Sequence, residues 1–155
     1  MAVTVGAKAP DFTLRNQDMQ DVTLSDLWKK GPLVLAFLPG AFSGTCTTEM
    51  CTFRDSSAEL ARLNATVVGV SVDTFFALKA WAVAEKLPFT LLSDFNKEVT
   101  PLYGVLNPDM IGLKNIAYRA TFVIGRDGVV KYAEVLDDAR NEPNYEAVKK
   151  ALAAA

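Results

Sequence analysis

The spacing of apolar positions changes period several times along the chain, and each change marks an element. Leu33 to Leu38 is an unbroken apolar run of strand length, stopped by Pro39-Gly40, as expected of a strand buried on both faces. After a small polar loop, Cys46, Met50, Phe53, Ser57, Leu60 and Ala61 share one stripe at helical spacing, which predicts a helix from Cys46 to about Leu63. Thr66 to Val72 is β-branched and strand-like. Asp73-Thr74 can cap a helix from Phe75 to about Lys86, with Pro88 just beyond its end. Phe89 to Leu92 predicts a short strand, and Ser93-Asp94 opens a small helix toward Tyr103. Gly104 to Lys114 reads as irregular, with Asn107-Pro108 as a turn. Ala117 to Ile124 and Val129 to Val135 predict two strands joined at Asp127-Gly128, and a last helix covers about Asn144 to Ala154. At the front, Gly6 to Leu14, a polar turn from Asn16 to Gln20, and Val22 to Leu24 predict an amino-terminal hairpin. A brief helical piece then starts at Ser25-Asp26 and stops at Gly31-Pro32.

The resulting order is β-β, then βαβαβ, then β-β-α. It predicts an α/β fold with a mixed central sheet, parallel in the middle and antiparallel at one end, with helices on both faces. With 155 residues and no repeat, linker or low-complexity segment, residues 1–155 are expected to form one domain with a core of its own.

Composition narrows the function. Hydrophobic residues make up 50% of the chain and charged residues 22%, which favours a compact globular protein. The 16 basic and 18 acidic residues nearly balance and form no basic run, so neither nucleic acid nor an anionic membrane is expected as a main partner. No apolar run approaches the length of a membrane span. The opening MAVTVGAKAPDF has no basic leader followed by an apolar stretch, so the expected compartment is the reducing cytoplasm, where two cysteines suggest chemistry more than a structural bridge. The chain contains no histidine, which removes Cys-His hydrolases, Ser-His triads and His-containing zinc sites. Two cysteines alone cannot close a thiolate zinc site, and no metal or organic cofactor is expected.

What remains is Cys46, in the first turn of a predicted helix. The unpaired N–H groups and positive dipole end of a helix favour an anion there, and so favour a thiolate. With no imidazole to help, the thiolate needs Arg or Lys. In the strand Ala117 to Ile124 the only charge is Arg119, among residues that expect burial. A buried guanidinium requires an anion. The Cys46 thiolate would serve, as would Glu49 in the first turn of the same helix, and both could share it. Glu49 can also simply complement the helix dipole. The aromatics Phe42, Phe53, Phe75, Phe76, Trp81 and Phe89 read as core or interface.

The stretch Pro39-Gly-Ala-Phe-Ser43-Gly-Thr-Cys46 resembles the P-x-x-x-[T/S]-x-x-C active-site motif of peroxiredoxins. Arg119 lies where that family places its active-site arginine, in a strand ahead of an R-D-G hairpin. Ala9-Pro-Asp-Phe-Thr-Leu14, Cys51-Thr-Phe-Arg-Asp55 and Leu91-Leu-Ser-Asp-Phe95 are similar to both the bacterioferritin-comigratory (Q) type and the one-cysteine E type. The resemblance implies a thioredoxin-like fold and a thiol peroxidase acting on hydrogen peroxide or organic hydroperoxides. It implies that Cys46 is the peroxidatic cysteine, that Ser43 hydrogen-bonds the peroxide, that Pro39 shields the sulfur and that Arg119 stabilises thiolate and transition state. Ser at position 43, where Thr is commoner, keeps the hydroxyl and loses a methyl. A thioredoxin-like protein or a small thiol would be the reductant, and a homodimer is favoured over a monomer.

In the Q-type pattern Cys51 would resolve the sulfenic acid. On an intact helix, residues five apart are separated by about 140° and a rise of about 7.5 Å, hence a Cα separation of roughly 8 to 9 Å. Disulfides need less than about 7 Å. Resolution therefore requires the first turns to unwind, which Gly44, Thr45, Thr47, Thr48 and Thr52 would ease as weak helix formers. The alternative is that Cys51 only packs and an external thiol does the reduction. Two other classes stay open: a thiol-disulfide oxidoreductase, disfavoured because Cys46-x4-Cys51 is not C-x-x-C, and a catalytically silent thioredoxin-like binding module.

Overall fold

The computed structural model describes residues 2–155. A seven-stranded sheet is formed by β1 (Thr13–Asn16), β2 (Asp21–Thr23), β3 (Leu33–Phe37), β4 (Thr66–Ser71), β5 (Thr90–Ser93), β8 (Arg119–Ile124) and β9 (Val130–Leu136), in the order β2-β1-β5-β4-β3-β8-β9. The remaining strands, β6 (Leu106–Met110) and β7 (Leu113–Ala117), pair only with each other. The helices are α1 (Leu24–Trp28), α2 (Gly44–Asp55), α3 (Ser57–Arg62), α4 (Phe75–Glu85), α5 (Val99–Leu102) and α6 (Tyr145–Ala154).

Strands β3, β4 and β5 run parallel, as expected, but the sheet is antiparallel at both ends and not at one. The amino-terminal hairpin joins the free edge of β5 through Arg15 opposite Ser93 and Asn16 opposite Leu92. Gln17 fastens that junction, donating to the Phe89 carbonyl at 2.8 Å and accepting from the Leu91 amide at 2.9 Å. No local pattern encodes this pairing.

Alternation along the buried strands divides the core in two. Leu33, Leu35 and Phe37 face a cluster with Leu24, Trp28, Val99 and Tyr103, so α1 and α5 cover that side. Val34 and Leu38 face Cys46, Met50, Phe53, Leu60, Leu78, Trp81 and Leu152, so α2, α3, α4 and α6 cover the other. Side chains of successive strand residues point to opposite faces, which is why one apolar run can serve both layers.

Several boundaries differ from those the sequence predicts. The single helix expected to run to Leu63 breaks at Ser56, which has φ −96° and ψ 13°, and continues as α3. Met50, Phe53 and Leu60 keep one buried face across the break, but Ser57 and Ala61 are exposed. The stripe survives the break, so its period could not reveal it. The segment expected to be irregular between Gly104 and Lys114 holds β6 and the start of β7. Asn107 still makes a local turn contact, its Oδ1 accepting from the Asp109 amide at 3.1 Å, but the backbone stays extended enough to pair with Ile116. The strand expected from Ala117 to Ile124 divides at Tyr118, Ala117 ending β7 and Arg119 beginning β8. The cap at Asp94 acts farther along than expected. Its carboxylate accepts from the amides of Glu98, Val99 and Thr100, at the start of α5.

Gly69, in the middle of β4, sets how closely α2 approaches the sheet. A Cβ there would lie 2.9 Å from Leu91 Cδ2, 3.3 Å from Leu38 Cδ1 and 3.4 Å from Met50 Cε. Gly69→Ala is expected to overpack this contact and destabilise the fold by about 1–3 kcal/mol. Urea unfolding measures it, and an unchanged midpoint would show that the three side chains give way freely.

Candidate active site

The site is assembled where β3 ends. Pro39 is buried at the strand terminus, and the loop from Gly40 to Ser43 leads into α2. Asp73 pins this loop, its Oδ2 accepting from the Ala41 amide at 2.7 Å and from Ser71 Oγ at 2.7 Å. Phe42 takes a left-handed φ of 66°, which turns the chain into the helix. Ser43 is the N-cap residue, extended at φ −68° and ψ 150°, but its side chain caps no helix amide. Its hydroxyl donates instead to the Gly40 carbonyl at 2.9 Å, leaving the Oγ lone pairs free to accept.

Helix α2 begins at Gly44, two residues before the predicted start. Cys46 is therefore its third residue, still in the first turn, whereas Glu49 is the sixth and lies in the second turn. The amide of Thr47 makes the first backbone bond of the helix, to Ser43 O at 2.9 Å. The amides of Gly44, Thr45 and Cys46 come before it and have no carbonyl one turn back, so they carry the positive end of the helix dipole. Trp81, fully buried on α4, holds the same turn by donating from Nε1 to Thr47 Oγ1 at 3.2 Å.

Arg119 opens β8 and is 2% exposed. Its Nη1 donates both to Cys46 Sγ at 3.3 Å and to Glu49 Oε1 at 2.9 Å, and its Nη2 donates to the Ala139 carbonyl at 2.8 Å. Of the two anions the sequence offers this guanidinium, it takes both. Glu49 thus faces the arginine in a fully buried position and is not a solvated complement to the helix dipole. Burial pushes its carboxyl up to about 7, against the opposing pull of Arg119, and its Oε2 has no hydrogen-bond partner. Near neutral pH the carboxyl therefore spends much of its time protonated.

A cleft of about 680 Å³ opens over this group, lined by Pro39, Ser43, Gly44, Thr45 and Arg119 on one side of its outline and by Met110, Ile111 and residues 137–140 on the rest. Cys46 is completely buried, so the cleft approaches the sulfur through its neighbours in the chain and through the arginine bonded to it. Cys51 is half-buried on the same helix, with its thiol 3.7 Å from Glu85 Oε2. Burial raises its pKa above the ordinary value, Arg54 pulls it down, and Glu85 adds to the rise, leaving a protonated thiol at neutral pH. Both cysteines are free. Pro39, Ser43, Cys46, Glu49 and Arg119 are brought together; Cys51 is not. Sequence reasoning missed Asp73, Trp81 and the Ala139 carbonyl as supports. Asp73 and Trp81 looked like a helix cap and a core residue, and a backbone carbonyl leaves no residue-type signal.

The sequence profile of the AhpC/TSA family matches residues 5–133. Alkyl hydroperoxide reductase E of Mycobacterium tuberculosis is 38% identical over 135 residues, which cover 86% of this chain and 86% of that protein. The chloroplastic peroxiredoxin Q of Oryza sativa is 40% identical over 130 residues, covering 84% of this chain and 58% of the plant protein. The crystal structure of peroxidoxin BcpB from Mycobacterium tuberculosis superposes with a TM-score of 0.87 at 31% identity, covering 97% of this chain and 96% of that one. With the profile spanning most of the sheet and the whole Cys46 to Arg119 constellation, the chain belongs to the AhpC/TSA family and is a peroxiredoxin of thioredoxin-like fold.

Proposed function

We propose that the protein is a thiol-dependent peroxidase in which Cys46 reduces a hydroperoxide. The observation that carries this reading is the guanidinium of Arg119 bonded to the sulfur of a cysteine in the first turn of a helix, at the edge of an open cleft. The names of the relatives support it. The Cys46 thiolate attacks the terminal oxygen of ROOH in line with the O–O bond. Sulfur takes that oxygen as a sulfenic acid, and RO⁻ leaves, to be protonated to ROH or, from hydrogen peroxide, water. Negative charge grows on two oxygens during the transfer. Arg119 and the free amides of Gly44, Thr45 and Cys46 are donors for it, and Ser43 Oγ accepts from the hydroperoxide O–H. Pro39, in the lining of the cleft, shields the sulfur. Glu49 tunes the charge that Arg119 offers. No step needs a cofactor.

Cys51 resolves the sulfenic acid after local unwinding of α2, which also withdraws its thiol from Glu85: its sulfur attacks the Cys46 sulfur, the S–O bond breaks, and the disulfide forms with release of water. A thioredoxin-like protein or a small thiol then restores both sulfurs. The second reading, with Cys51 only packing and the external thiol acting directly on Cys46, is favoured by the intact helix and the half-buried position of Cys51. A homodimer is favoured over a monomer by Phe42, 54% exposed within the active-site loop. No helix among the described residues is long and apolar enough to cross a membrane.

Intact mass after one equivalent of peroxide tests the cycle. Wild type is expected to lose two hydrogens, Cys51→Ser to gain one oxygen, and Cys46→Ser to remain unchanged; a gain of oxygen in wild type would establish the one-cysteine cycle, and no reaction at all would sink the peroxidase reading. Arg119→Ala is expected to slow peroxide attack by roughly a hundred- to a thousand-fold and to slow alkylation of Cys46 at neutral pH. Alkylation at the wild-type rate would make Arg119 a purely structural residue.

Glu49 gives a pH prediction whose sign follows from its raised value. Between the ordinary carboxyl value of 4.5 and about 7 the native state holds a proton that the unfolded chain has lost. Its contribution to stability is therefore full below 4.5 and is lost as pH rises through about 7. Glu49→Gln removes this titration. Unfolding free energies measured from pH 4.5 to 8 should show the variant gaining on wild type by on the order of 2–3 kcal/mol. A difference that stays flat with pH would refute the assignment.

A further inference from the structure

Ile111 breaks two local rules at once. The two-residue loop joining β6 to β7 has both central residues at positive φ, 49° at Ile111 and 88° at Gly112. This is the type I′ geometry that selects Asn-Gly. A β-branched side chain is crowded by its own backbone in the left-handed region. The other non-glycine residues at positive φ among those described are Met19, Phe42, Asn64, Lys86, Lys97 and Asn115, none of them β-branched. Ile111 is also 92% exposed, more than any other large apolar side chain described. The turn is thus less stable than Asn would make it, and an apolar side chain is left in water. A residue that violates local preference without a packing return is where a functional role is to be sought.

Its position supplies the role. Ile111 and Met110 line the cleft that reaches Arg119. At about 680 Å³ that cleft is far larger than hydrogen peroxide requires, since a water molecule occupies about 30 Å³ of liquid. Space of this size with an apolar flank fits a hydroperoxide carrying an organic group. We propose that Ile111, supported by Met110, receives the hydrocarbon part of an alkyl or aryl hydroperoxide and sets the preference for organic over hydrogen peroxide.

This inference rests on the peroxidase reading and names its substrate class. The reaction is unchanged: the O–O bond breaks, the sulfur of Cys46 gains the terminal oxygen as sulfenic acid, and the organic alkoxide leaves and is protonated to the alcohol. The organic group lies outside the bonds that change, so its contact strengthens ground state and transition state alike and is read in KM.

The test compares kcat/KM for cumene hydroperoxide and for hydrogen peroxide, using the full chain with dithiothreitol as reductant. In Ile111→Asn the ratio is expected to fall roughly ten-fold, through KM for cumene hydroperoxide, with a smaller change for hydrogen peroxide and the Tm raised by the better turn residue. Ile111→Leu should keep the ratio near that of wild type. An unchanged ratio in Ile111→Asn overturns the proposal. Equal losses with both peroxides overturn it too, assigning Ile111 to the shape of the site. A change in ratio accompanied by a change in oligomeric mass, measured by light scattering, overturns it by making Ile111 a subunit contact. If wild type consumes neither peroxide, the peroxidase reading itself fails and carries this inference with it.

Discussion

The buried guanidinium of Arg119 is the constraint around which the site is built. A cation removed from water is costly unless its donors find acceptors, and this one finds three on two segments: the Cys46 sulfur and the Glu49 carboxylate of α2, and the Ala139 carbonyl, with Nε left unpaired. One positive charge cannot fully neutralise two anions. The competition is eased because burial raises the affinity of Glu49 for a proton until the carboxyl titrates near neutrality. The charge balance of the pocket is thereby coupled to the state of the sulfur.

That convergence depends on backbone placement more than on side-chain reach. Strand β8 lies antiparallel against β3, and Arg119 opens β8 at the end of the sheet where β3 gives way to Pro39 and the active-site loop. Helix α2 starts from the same point and is held by Asp73 on one side, through the Ala41 amide, and by Trp81 on the other, through Thr47. Met50 seats the helix over Gly69, the position in β4 that leaves room for it. Small shifts in any of these would move the sulfur relative to a guanidinium whose Nη2 is committed to Ala139.

The outer wall of the cleft follows a different logic. At the sulfur itself, residue type and tertiary contacts agree: a first-turn cysteine and a buried arginine bonded to it. At the tip of the β6–β7 hairpin they disagree, because Ile111 occupies a turn position suited to Asn and exposes an apolar side chain. The inner site is shaped by the chemistry of peroxide reduction, which is common to all hydroperoxides.

Periodicity and residue type were enough to define the α/β order, the buried strand from Leu33, the first-turn placement of Cys46 and the need of Arg119 for an anion. These are properties of contiguous segments, where side-chain spacing and burial cost act locally. The same reading missed the break at Ser56, because the buried stripe continues across it, and the β6–β7 hairpin, because Ile-Gly stands where Asn-Gly would announce a turn. It also misplaced Glu49, whose position in the helix depends on a start at Gly44 set by the cap geometry of Ser43. Only the tertiary structure decided that the amino-terminal hairpin completes the sheet at β5, that Arg119 bonds both Cys46 and Glu49, and that Cys51 faces Glu85. Those outcomes depend on which distant segments share space. Burial and charge act through distance, and distance between remote segments is not written in the spacing of either one.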